Sequence, residues 1–300
     1  MDGFESFENK LLAEKAELRR IAVVCGSDES TIQATVKAVE QRLATVIFVG
    51  ATEAVRQALG EKASQPGISL VEASDEREAA RLAVSLIREG RADVLMKGLV
   101  ETPVLLQAVL DKQQGLLPQG GVLTHVAVSV WPGYDKPLVY SDVAVIPYPT
   151  PLQRRAQINA LVAVCRSLGV VEPRIALVHC AEHVSDKFPH TLDYADVVRE
   201  SKEGRWPGVV IDGPLDLRTA IDPEALRIKG INSPLQGRAD ALVFPDILAG
   251  NVFYKSMTYF VQSATAGMLM GASCPVILSS RGDNAETKYD SMLLACLSQS

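Results

Sequence analysis

The sequence predicts an α/β protein whose sheets are mostly parallel and covered by helices. Short apolar, β-rich runs recur along the chain, and a helical pattern follows most of them, which is the alternation typical of this fold class. The apolar residues within these runs are mostly continuous rather than alternating, as expected for parallel strands buried on both faces. Gly, Asp, Lys or Ser closes several of the runs, where open α/β sheets bind their ligands.

The predicted strands are 21–25, 45–49, 93–96, 122–130, 137–146, 174–179, 208–211, 241–244 and 274–279. The predicted helices are 9–18, 30–42, 52–59, 76–89, 103–112, 151–168, 191–203 and 251–268, with a further helix after residue 284. A turn-rich segment, Trp131-Pro132-Gly133-Tyr134-Asp135-Lys136, separates the strands at 122–130 and 137–146. It predicts a β-hairpin and therefore a mixed sheet.

Composition excludes several classes of protein. The net charge of −6 and the pI near 5.4 argue against nucleic-acid binding, which usually needs a basic surface. No apolar stretch reaches the roughly 18 residues of a membrane helix, and the charged N-terminus lacks the apolar region of a signal peptide. The five cysteines are scattered without a CxxC pair, so we expect a cytoplasmic protein with no disulfide framework.

Familiar cofactor and nucleophile motifs are missing. The chain contains neither GxGxxG, nor GxxxxGK[ST], nor GxSxG. The segment His179-Cys180-Ala181-Glu182-His183 has two histidines four residues apart, but it lacks a further ligand pair and matches no structural zinc pattern. We therefore predict no metal site.

The last strand runs into a turn with the chemistry of an anion site. Ser280 and Arg281 follow this strand, and Asp283 or Asn284 can cap the next helix. A helix N-terminus attracts anions, and an arginine guanidinium fits two phosphate oxygens. The alternative is a capped terminal helix with a surface arginine.

A second strand end favours anions as well. Lys97-Gly98 closes the strand at 93–96, and we predict Thr102 as the N-cap and Pro103 as the first residue of the next helix. Lys97 would point along the carboxyl end of the sheet. The alternative is a lysine whose stem covers apolar surface while its ammonium reaches water.

Taken in order, these motifs resemble the phosphate acetyl/butyryltransferase family from about residue 93 to the C-terminus. The matching residues are Met96-Lys97-Gly98 with Thr102, Thr124-His125, Tyr140-Ser141-Asp142 with Pro147 and Pro149, Glu172-Pro173-Arg174-Ile175-Ala176, Asp212-Gly213-Pro214-Leu215-Asp216, Asn232-Ser233-Pro234, Gly237-Arg238-Ala239-Asp240, Phe244-Pro245-Asp246, Gly250-Asn251, Tyr254-Lys255 and Ser280-Arg281-Gly282. Residues 1–90 match by pattern only.

The resemblance implies two three-layer α/β domains like those of isocitrate and isopropylmalate dehydrogenases, with the active site in the cleft between them. We place the first domain at 1–172 together with 271–300, and an inserted second domain at 173–270. The resemblance also implies a cytoplasmic homodimer or larger oligomer that needs no metal and acts independently of nucleic acid and membranes.

The implied reaction moves an acyl group between coenzyme A and inorganic phosphate, so that coenzyme A and acyl phosphate are substrates and no cofactor is needed. Ser280 and Arg281 would stabilise the reacting oxygens and the phosphate, and a carboxylate would take the thiol proton. That carboxylate is left open between Asp283 and Glu286, because position 287, where acetyl-specific members have an acidic residue, is Thr. The implied substrate-binding residues are Lys97, Thr102, His125, Asp142, Asp212, Asp246, Asn251 and Lys255.

Acyl length is a further expectation. Acetyl-type enzymes carry two arginines whose counterparts fall near Ala108 and Ala163 here, which favours phosphate butyryltransferase or a branched-chain enzyme over phosphate acetyltransferase. A non-catalytic acyl-CoA sensor is the alternative from another class, although Ser280 and Arg281 are retained. A dehydrogenase of the same fold is disfavoured, since its paired metal-binding aspartates have no counterpart.

Overall fold

The computed structural model describes residues 3–13, 17–280 and 282–299. Within these ranges the strands are β1 (Arg19–Val24), β2 (Ala44–Gly50), β3 (Ile68–Glu72), β4 (Val94–Lys97), β5 (Thr124–Val130), β6 (Leu138–Ser141), β7 (Arg174–Val178), β8 (Val210–Leu215), β9 (Ala241–Val243), β10 (Ala264–Met270) and β11 (Val276–Ile277). The helices are α1 (Glu5–Ala13), α2 (Glu29–Glu40), α3 (Thr52–Leu59), α4 (Glu76–Arg88), α5 (Thr102–Val109), α6 (Pro151–Ser167), α7 (Pro189–Lys202), α8 (Leu217–Ile221), α9 (Pro223–Lys229), α10 (Ile247–Tyr259) and α11 (Ala285–Leu297), with a short 3₁₀ helix at Gly60–Ser64.

Every predicted strand overlaps an observed one, but two strands were missed. The strand β3 is short and only partly buried, so its apolar signal is weak. The strand β10 is rich in Ala, Thr and Gly, and the predicted helix 251–268 was wrong beyond Tyr259 because this segment continues an apolar pattern without a helix-breaking proline. The predicted helix 9–18 overlaps α1, and residues 14–16 lie outside the described residues.

The described chain forms two compact units. We call residues 3–123 with 264–300 the first unit and residues 124–263 the second unit. These limits differ from the predicted insertion at 173–270. A division at residue 173 would cut one sheet, because β6 and β7 both pair with β9. The strand β10 belongs to the first unit, where it pairs with β11.

The first unit contains a sheet in the order β3-β2-β1-β4-β11-β10. All neighbours are parallel except β10 and β11. The chain moves outward from β1 to β3 through α2 and α3, and then returns to β4 through α4. Because parallel crossovers are right-handed, α4 lies on the face opposite α2 and α3. Consistent with this, α11 packs against α2, and α5 packs against α4.

The second unit contains a sheet in the order β5-β6-β9-β7-β8. The strands β5 and β6 form the predicted antiparallel hairpin, and the other neighbours are parallel. The return from β8 to β9 reverses the direction of travel, so α8 and α9 lie opposite α6 and α7 by the same handedness rule. The predicted fold class, a mixed and mostly parallel α/β fold, is confirmed.

The central strands are buried along their whole length. Every residue of β4, β5, β6 and β9 is buried, which matches the continuous apolar runs seen in the sequence. Their carboxyl ends therefore present the polar residues that follow them. No helix in the described part of the chain combines the length and apolarity needed to cross a membrane.

The helix α11 is tied to α2 by a buried ion pair. Lys288 is 2% exposed, and its Nζ donates to Asp28 Oδ1 and to Thr31 Oγ1, both at 2.8 Å. Asp28 is also the N-cap of α2. Burial opposes ionisation of Asp28, but hydrogen bonds from Lys288 and Thr31 outweigh it and lower its pKa to about 2. The pair fixes the start of α11, and with it the turn that precedes this helix.

Replacing Lys288 by Met should lower the free energy of unfolding by roughly 2–4 kcal/mol, somewhat less than a fully buried pair, because it leaves the Asp28 carboxylate partly buried and unpaired. Urea unfolding at pH 7 measures this loss. The double variant Asp28→Asn with Lys288→Met should recover part of it. The control is Lys202→Met at an exposed position, and equal stability of Lys288→Met and this control would contradict the prediction.

A buried carboxyl lies two residues beyond Lys288 on α11. Asp290 is 5% exposed, and burial raises its pKa to about 7, with the Glu286 and Glu8 carboxylates acting in the same direction and Lys37 against it. The folded state therefore binds a proton that the unfolded chain releases near the ordinary value of 3.8. Stability from this group falls as pH rises from about 4 to about 7.

Replacing Asp290 by Asn should remove this pH dependence. At pH 8 the variant should exceed the parent in free energy of unfolding by on the order of 2–4 kcal/mol, and the gain should shrink as pH falls toward 4. Urea unfolding at several pH values tests this, with the exposed Asp196→Asn as the matched control. A gain that does not change with pH would show that ionisation of Asp290 is not its cause.

Candidate active site

Three loops meet at the carboxyl end of the first unit's sheet. Ser279, just after β11, donates its hydroxyl to the carbonyl of Lys97 at the end of β4, at 3.0 Å. A Cβ at Gly98 would lie 2.5 Å from the Cys25 carbonyl oxygen in the loop after β1. Only glycine allows this approach, so the Lys97-Gly98 pair seen in the sequence has a packing reason.

The turn after Ser279 is organised by its own hydrogen bonds. The Ser280 N–H donates to Asp283 Oδ2 at 2.7 Å, and the Gly282 N–H donates to Ser280 Oγ at 3.3 Å. Because Ser280 Oγ accepts from Gly282, its own hydrogen is available for a ligand. Asn284 caps α11 by accepting from the Thr287 N–H at 2.8 Å. The structure thus selects Asn284, rather than Asp283, as the cap.

Arg281, predicted to bind phosphate, lies outside the described residues. Its two neighbours in the chain are described, and both are exposed. The turn therefore presents Ser280 and Gly282 to solvent beside the N-terminus of α11, where the helix dipole favours an anion.

The two candidate bases have different surroundings. Asp283 lies in the Ser280 turn and bonds to its backbone. Glu286 lies on α11, forms an ion pair with Lys37 Nζ at 3.0 Å, and keeps 65% of its side chain exposed. Lys37 also sits 3.9 Å from the centre of the Tyr289 ring. Glu286 is therefore held toward α2, whereas Asp283 accepts from the backbone N–H of the serine.

The structure disfavours the alternative given for Lys97 and moves the predicted cap at Thr102. Lys97 is 4% exposed and donates to the carbonyl of Gly98 at 3.1 Å, so it is not a lysine reaching into open solvent. The N-cap of α5 is Glu101, and Thr102 is the first helical residue, so the predicted cap was displaced by one position. The Glu101 N–H donates to Glu76 Oε2 at 3.1 Å, and the Glu101 side chain makes no cap hydrogen bond to the described backbone.

Asp142 organises the carboxyl end of β6 in the second unit. Its Oδ2 accepts from Thr124 Oγ1 at 2.8 Å and from the His125 N–H at 2.9 Å, both on β5. Its Oδ1 accepts from the N–H groups of Ala144 and Val145, each at 2.8 Å. Both carboxylate oxygens are therefore occupied by protein donors, and Asp142 positions the loop that it begins.

His125 is a buried neutral imidazole. It is 6% exposed, and burial lowers its pKa to about 4 although Asp142 acts in the opposite direction. Its Nδ1 has no hydrogen-bond partner among the described residues, and its ring meets the Tyr254 ring edge-on at 6.5 Å between centres. At neutral pH the ring carries no charge, so it can donate or accept a hydrogen bond but cannot neutralise a phosphate.

The helix α10 is anchored against the Asp142 loop. Asp246 caps it by accepting from the Ala249 N–H at 2.9 Å. A Cβ at Gly250 would lie 2.1 Å from the Asp142 carbonyl oxygen, so the helix packs directly on that strand end. Asn251 Nδ2 donates to the Val143 carbonyl at 2.9 Å. These contacts bring together four predicted residues, His125, Asp142, Asp246 and Asn251.

Lys255 and Asp212 lie outside this group. Lys255 is exposed on α10, and its Nζ lies 5.1 Å from the centre of the Tyr254 ring. Asp212 is on β8, and its Oδ2 accepts from Ser233 Oγ at 2.6 Å. Since β7 separates β8 from β9, strand spacing places Asp212 roughly 10 Å from the end of β9. The sequence order of the motifs gave no indication of this separation.

Sequence analysis missed Arg154, which holds the strand end before Asp246. Arg154 is 1% exposed, donates to the Phe244 carbonyl at 3.2 Å, and forms an ion pair with Asp193 at 2.8 Å. It occupies an inward position of α6, four residues before the buried Ile158. A charged residue on an apolar stripe was the signal that could have revealed it.

The histidine segment after β7 pairs differently from the spacing considered in the sequence. His179 Nδ1 lies 3.1 Å from His190 Nε2, and Cys180 Sγ lies 3.7 Å from the other ring nitrogen of His179. Burial lowers the pKa of both histidines. Within residues 3–13, 17–280 and 282–299, no group of three or more His, Cys, Asp or Glu side chains has the arrangement of a metal site.

Comparison with known proteins gives consistent results. The family model for phosphate acetyl/butaryl transferase matches residues 61–296. The phosphate butyryltransferase of Clostridium beijerinckii is 38% identical over 96% of this chain and 96% of its own length. The phosphate acetyltransferase of Rhizobium meliloti is 34% identical over 97% of this chain and 92% of its own length.

A solved structure agrees with these relatives. The branched-chain phosphotransacylase of Enterococcus faecalis V583 superposes with a TM-score of 0.84 and 30% identity, covering 94% of this chain and 99% of that one. The family match spans well over half of the chain, and the resemblance found in the sequence is confirmed. This chain belongs to the phosphate acetyl/butaryl transferase family.

Proposed function

We propose that this chain is a phosphate acyltransferase that moves a short acyl group between coenzyme A and inorganic phosphate. Family membership and the named relatives support the reaction class. The observation that carries the proposal is the Ser280 turn. Its hydroxyl accepts from Gly282, so the hydroxyl hydrogen can be donated to a ligand beside the N-terminus of α11.

The proposed reaction needs little covalent chemistry from the protein. The thiolate sulfur of coenzyme A bonds to the acyl carbon of an acyl phosphate, and the bond from that carbon to the phosphate oxygen breaks. The thiol proton passes to a carboxylate, because the thiolate is the nucleophile. Ser280 donates to the tetrahedral oxyanion or to the departing phosphate oxygen. Arg281 and the α11 terminus hold the phosphate.

Asp283 is our choice for the base. It lies in the same turn as Ser280, and its Oδ2 accepts from the Ser280 N–H. Glu286 is engaged by Lys37, which holds its carboxylate toward α2. No metal or other cofactor is part of the proposal. Lys97, Thr102, His125, Asp246, Asn251 and Lys255 remain predicted substrate contacts, and Asp212 is retained with them. We assign Asp142 to positioning.

Butyryl or branched-chain acyl groups are the proposed substrates, and phosphate acetyltransferase is the alternative. Similarity to the phosphate butyryltransferase of Clostridium beijerinckii and to the branched-chain phosphotransacylase of Enterococcus faecalis supports the longer acyl groups. Similarity to the phosphate acetyltransferase of Rhizobium meliloti supports the acetyl alternative. We further propose a cytoplasmic homodimer or larger homo-oligomer. The five cysteines are free in the structure, which suits a reducing compartment.

Acyl length can be tested by phosphate-dependent thiol release from acetyl-, butyryl- and isobutyryl-CoA. We expect kcat/KM to be at least about tenfold higher for butyryl- or isobutyryl-CoA than for acetyl-CoA, since each added methylene in a fitting pocket contributes roughly 1–3 kcal/mol. A chelator should leave the rates unchanged. Fastest turnover of acetyl-CoA would favour the acetyl alternative, and binding without release of any thiol would indicate a sensor.

Single substitutions in the Ser280 turn test the mechanism. Ser280→Ala should lower kcat about 10²–10³-fold through loss of the oxyanion donor, with thermal stability near that of the parent. Ser280→Thr, which keeps a hydroxyl, should retain more activity than the alanine variant. Steady-state kinetics measure both effects. Parental kcat in Ser280→Ala would remove this residue from the reaction.

A pair of carboxylate substitutions distinguishes the two candidate bases. Asp283→Asn should lower kcat about 10²–10⁴-fold, the range of general base catalysis, and Glu286→Gln should change it only a few-fold. The acidic limb of the pH–kcat profile should be lost in the Asp283 variant and kept in the Glu286 variant. The reverse pattern would assign the base to Glu286.

A further inference from the structure

A groove of about 550 Å³ lies between α4 and α5 in the first unit, apart from the Ser280 turn. One wall carries Arg77, Arg81 and Arg88 of α4. Their spacing of four and seven residues puts them on one helix face. The other wall includes Val104 and Ala108 of α5. The volume falls within the range of small-molecule sites, about 300–1,000 Å³.

The acidic residues of the groove are occupied by local contacts. Glu78 accepts from the Ser74 hydroxyl and from the Ser74 N–H, the latter at 2.7 Å, and Asp111 accepts from the N–H groups of Gln114 and Gln113 at 2.7 and 2.8 Å. These hydrogen bonds lower the pKa of both carboxyls, to which Arg81 and Arg88 add smaller contributions. Both acids therefore serve loop ends and do not form ion pairs with the arginines.

Two of the arginines are exposed and make no hydrogen bond or ion pair within the described chain. Neither Arg77 nor Arg81 forms an ion pair or a side-chain hydrogen bond with any residue in 3–13, 17–280 or 282–299, whereas Arg88 donates to Gln114. An arginine has five N–H donors in a planar fork that suits phosphate oxygens. On a chain with a net charge of −6, two such groups lining one groove favour an anionic ligand.

We propose that the groove binds a nucleotide-like molecule with more than one phosphate group, held by Arg77 and Arg81. The Cα atoms of Arg77 and Arg81 are roughly 6 Å apart along the helix, so their side chains can reach phosphates at two positions of one nucleotide. Leu82, Val104 and Ala108 offer apolar surface to the part of the ligand that lies between its phosphate groups. Such a ligand is either the nucleotide end of coenzyme A or a separate phosphorylated effector, and only the first source rests on the proposed function.

Isothermal titration with adenosine 3′,5′-bisphosphate tests the groove directly. This probe carries phosphates at two positions but no thiol, so its binding is measurable whether or not the protein turns over. We expect the parent to bind it and the double variant Arg77→Gln/Arg81→Gln to lose at least about tenfold in Kd, because each charge-assisted hydrogen bond contributes roughly 1.5–3 kcal/mol. The control Arg56→Gln/Arg199→Gln removes the same charge at exposed positions elsewhere and should bind like the parent.

A second variant leaves the arginines intact. Ala108→Glu places a carboxylate in the groove at a helical position and should also abolish binding, and an unchanged urea midpoint verifies its fold. No binding by the parent, or parental binding in the double variant and in Ala108→Glu, overturns the proposal.

Competition identifies the source of the ligand. Displacement of the probe by coenzyme A, with a raised KM for coenzyme A and an unchanged KM for phosphate in the double variant, assigns the groove to the substrate's nucleotide end. Binding that coenzyme A does not displace, with both KM values unchanged, assigns it to an effector. Binding in a protein that shows no turnover would sink the proposed function and leave this site standing.

Discussion

The first unit's candidate site depends on one hydrogen bond between two strand ends. Ser279 Oγ donates to the Lys97 carbonyl, and Ser280, the serine of the proposed reaction, follows Ser279 directly in the chain. Because β4 and β11 are parallel neighbours, their carboxyl ends lie at the same edge of the sheet. The hydrogen bond fixes the positions of these two ends relative to each other. The Ser280 turn begins from this fixed point, and the Lys288–Asp28 pair fixes the far side of the turn.

In the second unit a carboxylate, that of Asp142, holds the strand ends together, whereas in the first unit the Ser279 hydroxyl does so. Asp142 accepts from β5 on one side and from its own loop on the other, and its carbonyl is the surface against which Gly250 packs. The first turns of α10 are thereby set by the strand end rather than by the helix. Arg154 on α6 also supports this region, because it donates to the Phe244 carbonyl at the end of β9. The buried charges of Asp142 and Arg154 therefore hold backbone N–H and carbonyl groups in place.

Fold class, most elements and the Ser280 turn could be predicted from sequence because their signals are local. Buried parallel strands leave continuous apolar runs, and strand ends leave Gly, Asp and Ser. The unit limits could not be predicted, because the pairing of β6 with β9 joins segments about a hundred residues apart and leaves no local trace. The choice between Asp283 and Glu286 was left open in the sequence for a similar reason. Lys37, which engages Glu286, is far away in sequence.

The strand β11 has a consequence for how the protein is made. It pairs with β4 through Leu95 and Val276, so the sheet of the first unit lacks an inner strand until residues 264–300 have been synthesised. The second unit is one continuous segment and can fold earlier on the ribosome, as domains generally do. We therefore expect the Ser280 turn to form last. The loops after β1 and β4 would then be in place before the turn that completes the candidate site.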